Sequence, residues 1–313
     1  MSLEKYKKQV GLLLDVLPYV SQEECFALKG GTAINLFVRN MPRLSVDIDL
    51  TYMGDESRDE ALELTAAALH RIKAKIESNF AGAKVFTSKK VTQDDDAKLL
   101  IERKGVQVKI EANPVIRGTL YTPILSSLQP AVTEEFDVEL ETKVVDIADL
   151  YGGKIAAALD RQHPRDLFDV SLLLANEGIT RKIMNGFLCY LVSHKRPIHE
   201  VLNPKFKNQQ NTLETEFTGM TTTAYTISNF EETRSEMVTT IHENLSQKDK
   251  DFLISFAAGN PEWGLFPEAK IQSLPAVKWK LENIKKMPKE KRLKAESDLQ
   301  KAIANRKSAN FKE

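Results

Sequence analysis

Lys29-Gly30-Gly31-Thr32-Ala33, followed shortly by Arg43-Leu44-Ser45-Val46-Asp47-Ile48-Asp49-Leu50, is the stretch from which the fold of this chain can be read. Adjacent glycines permit backbone angles closed to other residues and let another group approach the main chain. Thr32 is the expected N-cap of a short helix over Ala33-Ile34-Asn35-Leu36-Phe37. The unpaired N–H groups and positive dipole end of such a helix attract phosphate. An ordinary turn ahead of a helix would carry the same residues, so the glycine pair alone decides nothing.

The second half of the stretch reads as a strand. Val46, Ile48 and Leu50 point one way and Asp47 and Asp49 the other, because strand side chains alternate. Two carboxylates so placed repel each other unless a cation lies between them. Mg²⁺ takes oxygen ligands and bridges carboxylates to substrate phosphates. An isolated Asp-x-Asp could equally be the polar outer face of an edge strand. Coupled to a glycine turn about fifteen residues upstream, it provides the parts that hold a nucleoside triphosphate and its metal ions. That pairing is expected of a nucleotidyltransferase.

The rest of the chain sets bounds on this reading. At 313 residues, 42% hydrophobic and 28% charged, it is expected to form two globular domains. No apolar run approaches the roughly 18 residues of a membrane span, and the N-terminus lacks the apolar core of a secretory signal. A cytoplasmic protein is expected, with Cys25 and Cys189 as free thiols and no zinc site. Net charge is zero. Residues 278–313 carry 12 Lys+Arg against 5 Asp+Glu, hence +7, which leaves −7 on residues 1–277. Such a basic tail suits RNA or another polyanion, or it is a solvated helix with scattered charge.

Apolar spacing predicts helices over 3–19 and 58–80, the latter stopped by Gly82. Strands are expected over 84–91, 97–103 and 106–112, with a Lys104-Gly105 hairpin turn, and short ones near 136–139 and 142–145. Helices then dominate: 147–161, 165–177, 180–195, 231–245 and 248–258. The polar 203–230 stretch reads as a long loop, with or without a short helix. Pro275 breaks the 268–285 helix, and a charged helix covers 289–307. The shift in composition places the domain boundary near 145, giving domains 1–145 and 146–313.

Further candidates lie on these elements. Gln107, Lys109 and Glu111 share one strand face. Beside the aspartate strand, Glu111 could join Asp47 and Asp49 around two metal ions; otherwise it pairs with Lys109 at the surface. Lys154 and Arg161 lie two turns apart on one helix face, with alanines between them suited to packing on the sheet. Lys154 there could neutralise β- and γ-phosphates. Asp166 and Asp169 follow at i and i+3. Asp166 could hold Lys154 or Arg161, help activate an acceptor hydroxyl, or simply favour the first turn of its helix.

In four blocks the chain resembles the AbiEii/AbiGii-type nucleotidyltransferase toxins, a branch of the polymerase-β-like superfamily. The blocks are Lys29-Gly30-Gly31-Thr32 with Asp47-Ile48-Asp49; Lys109-Ile110-Glu111; Gly153-Lys154 with Ala156 and Arg161; and Arg165-Asp166-Leu167-Phe168-Asp169. They span residues 29–169. The first is common to the whole superfamily, and the last two are more particular to this branch. The resemblance implies an α+β fold: a polymerase-β-like domain with a mixed sheet flanked by helices, then a mostly helical C-terminal bundle that completes the active-site cleft. It implies Mg²⁺ and an NTP, with the tRNA 3′ end as acceptor and a cognate antitoxin as partner. Gly30, Gly31 and Thr32 would cradle the triphosphate. Asp47 and Asp49, with Glu111 less securely, would hold metal. Lys154 and Arg161 would meet phosphate, and Asp166 would take the acidic role of the fourth block.

The expected reaction is in-line attack of a hydroxyl on the α-phosphate with release of pyrophosphate, catalysed mainly by positioning and charge neutralisation. A small molecule or a protein hydroxyl is the alternative acceptor. A nucleotide-binding module without catalysis is the other alternative, although it would have no need of paired carboxylates.

Overall fold

The computed structural model describes residues 3–87 and 97–304, which divide into two compact units. The first comprises residues 1–146 and 211–224, the second 147–210 and 225–313. The sequence reading ran the second domain unbroken from 146; in the structure Asn211–Ala224 packs with the first unit instead.

The first unit is built on a seven-stranded mixed sheet in the order β3-β4-β5-β2-β1-β7-β6. Its strands are β1 (Phe26–Lys29), β2 (Asp47–Tyr52), β3 (Lys84–Thr87), β4 (Ala97–Arg103), β5 (Val106–Ala112), β6 (Ile124–Ser127) and β7 (Glu141–Val144). β2 runs antiparallel to β1 and parallel to β5. The alternation read from the sequence is present: Ile48 and Leu50 are buried, while Asp47 and Asp49 are half-exposed. Helices Leu3–Ser21 and Arg58–Asn79 pack on the sheet through Leu13, Leu17, Leu69 and Ile72. Pro18 sits inside the first of these without ending it. Ser57 caps the second by accepting from Glu60 N.

Between β5 and β7 the structure departs from expectation. Residues 136–139 are not a strand. A helix over Pro130–Phe136 ends there, with Asp137 left-handed at φ 51°. Pro130 in the first turn suits that helix, because its missing N–H would be unsatisfied anyway. β6 was not foreseen; it is four residues long and, among the described residues, pairs with β7 alone. The predicted strand over 84–91 is realised at 84–87, and its remainder lies outside the described residues. The same is true of the end of the 289–307 helix, which is described as Lys289–Ala304.

The second unit is helical. Helix Ile147–Arg161 packs on helix Arg181–Ser193 and on helix Pro164–Ala175, which also meets helix Ile227–Asn244. The alanines of the first of these helices were expected against the sheet. Its tight contact is instead made by glycines against a helix: a Cβ on Gly152 would lie 2.4 Å from the Gly186 carbonyl carbon, and one on Gly186 would lie 2.0 Å from the Ala148 oxygen. Phe252, Phe256, Trp263 and Phe266 form an aromatic cluster. Pro275 opens helix Pro275–Lys286 rather than interrupting one. In helix Lys289–Ala304 only Leu299 is buried, and its lysines are exposed. No helix among the described residues is long and apolar enough to cross a membrane.

Candidate active site

Register does what the linear sequence cannot show. Lys29 lies opposite Asp49, Asp49 beside Glu111, and Glu111 opposite Lys98. Four charges therefore form a row across β1, β2, β5 and β4, cations outside and carboxylates inside. Asp47 and Lys109 make a second row beside it. Glu111 is thus brought next to the aspartates, as the metal-site reading required. It is also clasped by lysines, as the surface-pair reading required: Lys98 Nζ lies 2.5 Å and Lys109 Nζ 2.6 Å from its oxygens. Lys109 Nζ also lies 3.9 Å from Asp47. Partial burial pushes the Glu111 carboxyl up, but the two ammoniums overcome this and hold it below its ordinary value. Among the described residues, no three His, Cys, Asp or Glu side chains converge as a metal-binding group.

The glycine turn meets this row directly. Gly30 is left-handed at φ 73°, and a Cβ there would lie 2.3 Å from Asp49 Oδ2. A Cβ on Gly31 would lie 2.8 Å from both an Arg43 Nη and Ser45 Oγ. The two glycines therefore admit protein side chains, a carboxylate over one and a guanidinium over the next. Thr32 directly precedes the wide turn Ala33–Val38 as expected, but its side chain makes no capping bond, and helical backbone already begins at Gly30. Thr32 is fully buried, and its hydroxyl donates to the main-chain oxygen of Asp47, tying the turn to β2. The Asn35 amide donates to Gly31 O at 2.9 Å. The loop ahead of β2 is held by the returning segment, through Leu44 N to Met220 O (2.7 Å) and Thr221 Oγ1 to Pro42 O (2.8 Å). Arg43 and Ser45, 3% and 7% exposed, lie in the quoted stretch but were given no role by the sequence reading.

Gly30→Ala is accordingly expected to lower stability by about 2 kcal/mol or more, of which roughly 1–2 kcal/mol is the left-handed backbone. The remainder is displacement of Asp49. Urea denaturation measures it, and in an Asp49→Ala background the penalty should shrink.

The second unit holds a buried ionic cluster. Lys154 Nζ lies 2.9 Å from Asp166 Oδ1 and 3.0 Å from Asp169 Oδ2. Both carboxylates are fully buried and Lys154 nearly so. Arg161 binds Asp166 through Nε and, at 2.8 Å, through Nη2. Its side chain is 61% exposed. Burial would raise the Asp166 carboxyl; Lys154 first, then Arg161, outweigh it and hold the carboxyl well below the usual range. Asp166 does lie in the first turn of its helix, where an acid is favoured, but His163 is the N-cap and the Asp166 oxygens are taken by Lys154 and Arg161. The sequence reading named Asp169 only as the neighbour of Asp166 at i+3. That spacing was the available signal for its contact with Lys154.

These residues fit a nucleotide and a divalent cation in chemistry. Asp47 and Asp49 are hard oxygen donors on one strand face, and Mg²⁺ needs only one or two carboxylates when substrate phosphates complete its shell.

No curated protein sequence matches this chain. Among solved structures it is similar to MenT4, a nucleotidyltransferase toxin from Mycobacterium tuberculosis H37Rv, with a TM-score of 0.58 at 15% identity, over 88% of this chain and 93% of that one. That likeness speaks for the fold: a mixed sheet and a helical C-terminal region. The family model "Nucleotidyl transferase AbiEii toxin, Type IV TA system" matches residues 11–283, and the chain belongs to this family of nucleotidyltransferase toxins.

Proposed function

We propose that this enzyme transfers a nucleotide from an NTP to the 3′ end of tRNA in a Mg²⁺-dependent reaction. The observation that carries this is the pair Asp47 and Asp49, set on one strand face against the Gly30 turn. In this reading Asp47 and Asp49 hold Mg²⁺, which when bound neutralises triphosphate charge and lowers the pKa of an attacking hydroxyl. The main-chain N–H groups after Gly30 face phosphate. Lys98 and Lys109 keep Glu111 and its neighbours from repelling one another. Within the second unit, considered by itself, Arg161 presents a largely exposed guanidinium whose chemistry suits phosphate. Lys154 lies buried between two carboxylates and fixes the cluster that presents Arg161. Asp166 is a positioning residue here: its oxygens are engaged by Lys154 and Arg161, and a carboxylate so strongly acidic is a poor base. As an enzyme of a nucleotidyltransferase family, the chain is more than a nucleotide-binding module, and membership of a type IV toxin–antitoxin family implies an antitoxin partner.

Incubation with each labelled NTP, Mg²⁺ and total tRNA, followed by gel separation, tests the proposal. Label should enter tRNA from at least one NTP and vanish with EDTA. Label entering only a small molecule or protein would overturn the acceptor, and transfer insensitive to EDTA would overturn the metal.

A further inference from the structure

We propose that Lys205-Phe206-Lys207 is the platform that receives the unpaired 3′-terminal nucleotides of an RNA acceptor. This rests on the RNA reading above and assigns the surface that would carry it. After helix Ile198–Leu202 the chain runs along residues 160–162. Gln162 is left-handed at φ 53° and buried. Its amide donates to Lys205 O at 2.8 Å and accepts from Lys207 N at 3.0 Å. These bonds grip the main chain on both sides of Phe206 and fix its direction. From helix Ile227–Asn244, buried Arg234 donates to Gln162 Oε1 (3.2 Å) and Lys207 O (2.8 Å), and its guanidinium lies 4.1 Å from the Phe206 ring centroid.

A buried amide and a buried guanidinium thus hold a phenyl ring that itself stays 43% exposed. Apolar burial does not account for such an arrangement, since the ring remains in water on one side. A flat aromatic face backed by a cation is suited to stacking a nucleobase. The flanking chemistry agrees. Lys205 and Lys207 are exposed beside it. Gln209 Nε2 bonds to Arg161 O at 3.1 Å, joining the segment to the Arg161–Asp166 cluster of the same unit. No acidic residue occurs between Glu200 and Glu214, whereas the exposed Asn208 and Gln210 offer amides for base edges and 2′-hydroxyls. Lysines meet phosphates without regard to sequence. A duplex would not present a base face to the ring; an unpaired end would.

The test uses the full chain and a fluorescent RNA stem with an unpaired 3′ overhang, beside the same stem blunt-ended. Binding is read by anisotropy, and KM for RNA and for NTP by label transfer. Phe206→Ala should weaken overhang binding roughly tenfold or more, with a matching rise in KM for RNA and little in KM for NTP. Phe206→Tyr should restore binding, and Phe206→Leu should not. Lys205→Ala with Lys207→Ala should flatten the salt dependence. Unchanged binding in Phe206→Ala, full binding in Phe206→Leu, or equal preference for the blunt stem would overturn the platform. If wild type transfers to RNA and Phe206→Ala does so with unchanged KM, the platform alone fails. If wild type binds and labels no RNA, both it and the RNA reading fail.

Discussion

Lys154→Ala is expected to destabilise the protein by about 3–5 kcal/mol at neutral pH, because it leaves two buried carboxylates without the ammonium that lies between them. Arg161 still reaches Asp166, but as a largely exposed partner it offsets only a small part of this. Linkage fixes the pH dependence. In the wild type the depressed Asp166 pKa contributes stability that is complete above the unfolded value of about 4 and lost as pH falls toward the folded one. In the variant, burial without Lys154 raises the carboxyl pKa instead, so protonation on acidification relieves the folded state. The gap between variant and wild type should therefore narrow from pH 7 to pH 5 in urea melts. Lys154→Met combined with Asp166→Asn and Asp169→Asn should recover much of the loss. A gap below about 1 kcal/mol, constant with pH, would show that the cluster is not the buried ionic unit described.

Asp49→Ala is expected to reduce nucleotide transfer by roughly a thousandfold or more, and Asp47→Ala comparably, with the unfolding midpoint little changed. Both aspartates are only half-buried. The Lys109–Asp47 contact at 3.9 Å is long and partly exposed, and such pairs contribute little to stability. A large loss of transfer with an intact fold therefore reports on chemistry rather than on folding. Glu111→Gln separates the two roles open to Glu111. If it only balances Lys98 and Lys109, transfer should fall less than tenfold; a loss as large as that of Asp49→Ala would make it a third metal ligand.

Much of this fold was legible because it is local. The Asp47–Leu50 alternation, the Lys104-Gly105 turn and the apolar spacing of 58–80 each state their own structure. What escaped was set by tertiary contacts. β6 is a four-residue edge strand with little pattern of its own, and Pro130 was the unread signal of the helix beyond it. The return of Asn211–Ala224 to the first unit leaves no periodic mark, yet it holds the loop ahead of the aspartates. In the site, the pairings of Glu111 with Lys109 and of Asp166 with Lys154 or Arg161 were among the readings the sequence offered, and the structure contains them. That Glu111 stands beside Asp49, flanked by Lys98, follows from register across strands β2, β5 and β4. Asp166 is both the helix-start acid and the holder of Lys154 and Arg161 that the sequence offered as separate readings; its full burial could not be read from the sequence. The glycines were read as room for phosphate; the structure fills their missing Cβ positions with Asp49, Arg43 and Ser45.

Binding of Mn²⁺, as a spectroscopic substitute for Mg²⁺, in the presence of a non-hydrolysable NTP tests the central claim most directly. Electron paramagnetic resonance titration should show wild type binding the metal with its nucleotide. Asp47→Asn with Asp49→Asn should bind it at least a hundredfold more weakly while melting at a similar temperature. Equal metal binding by wild type and double variant would contradict the assignment of these two carboxylates.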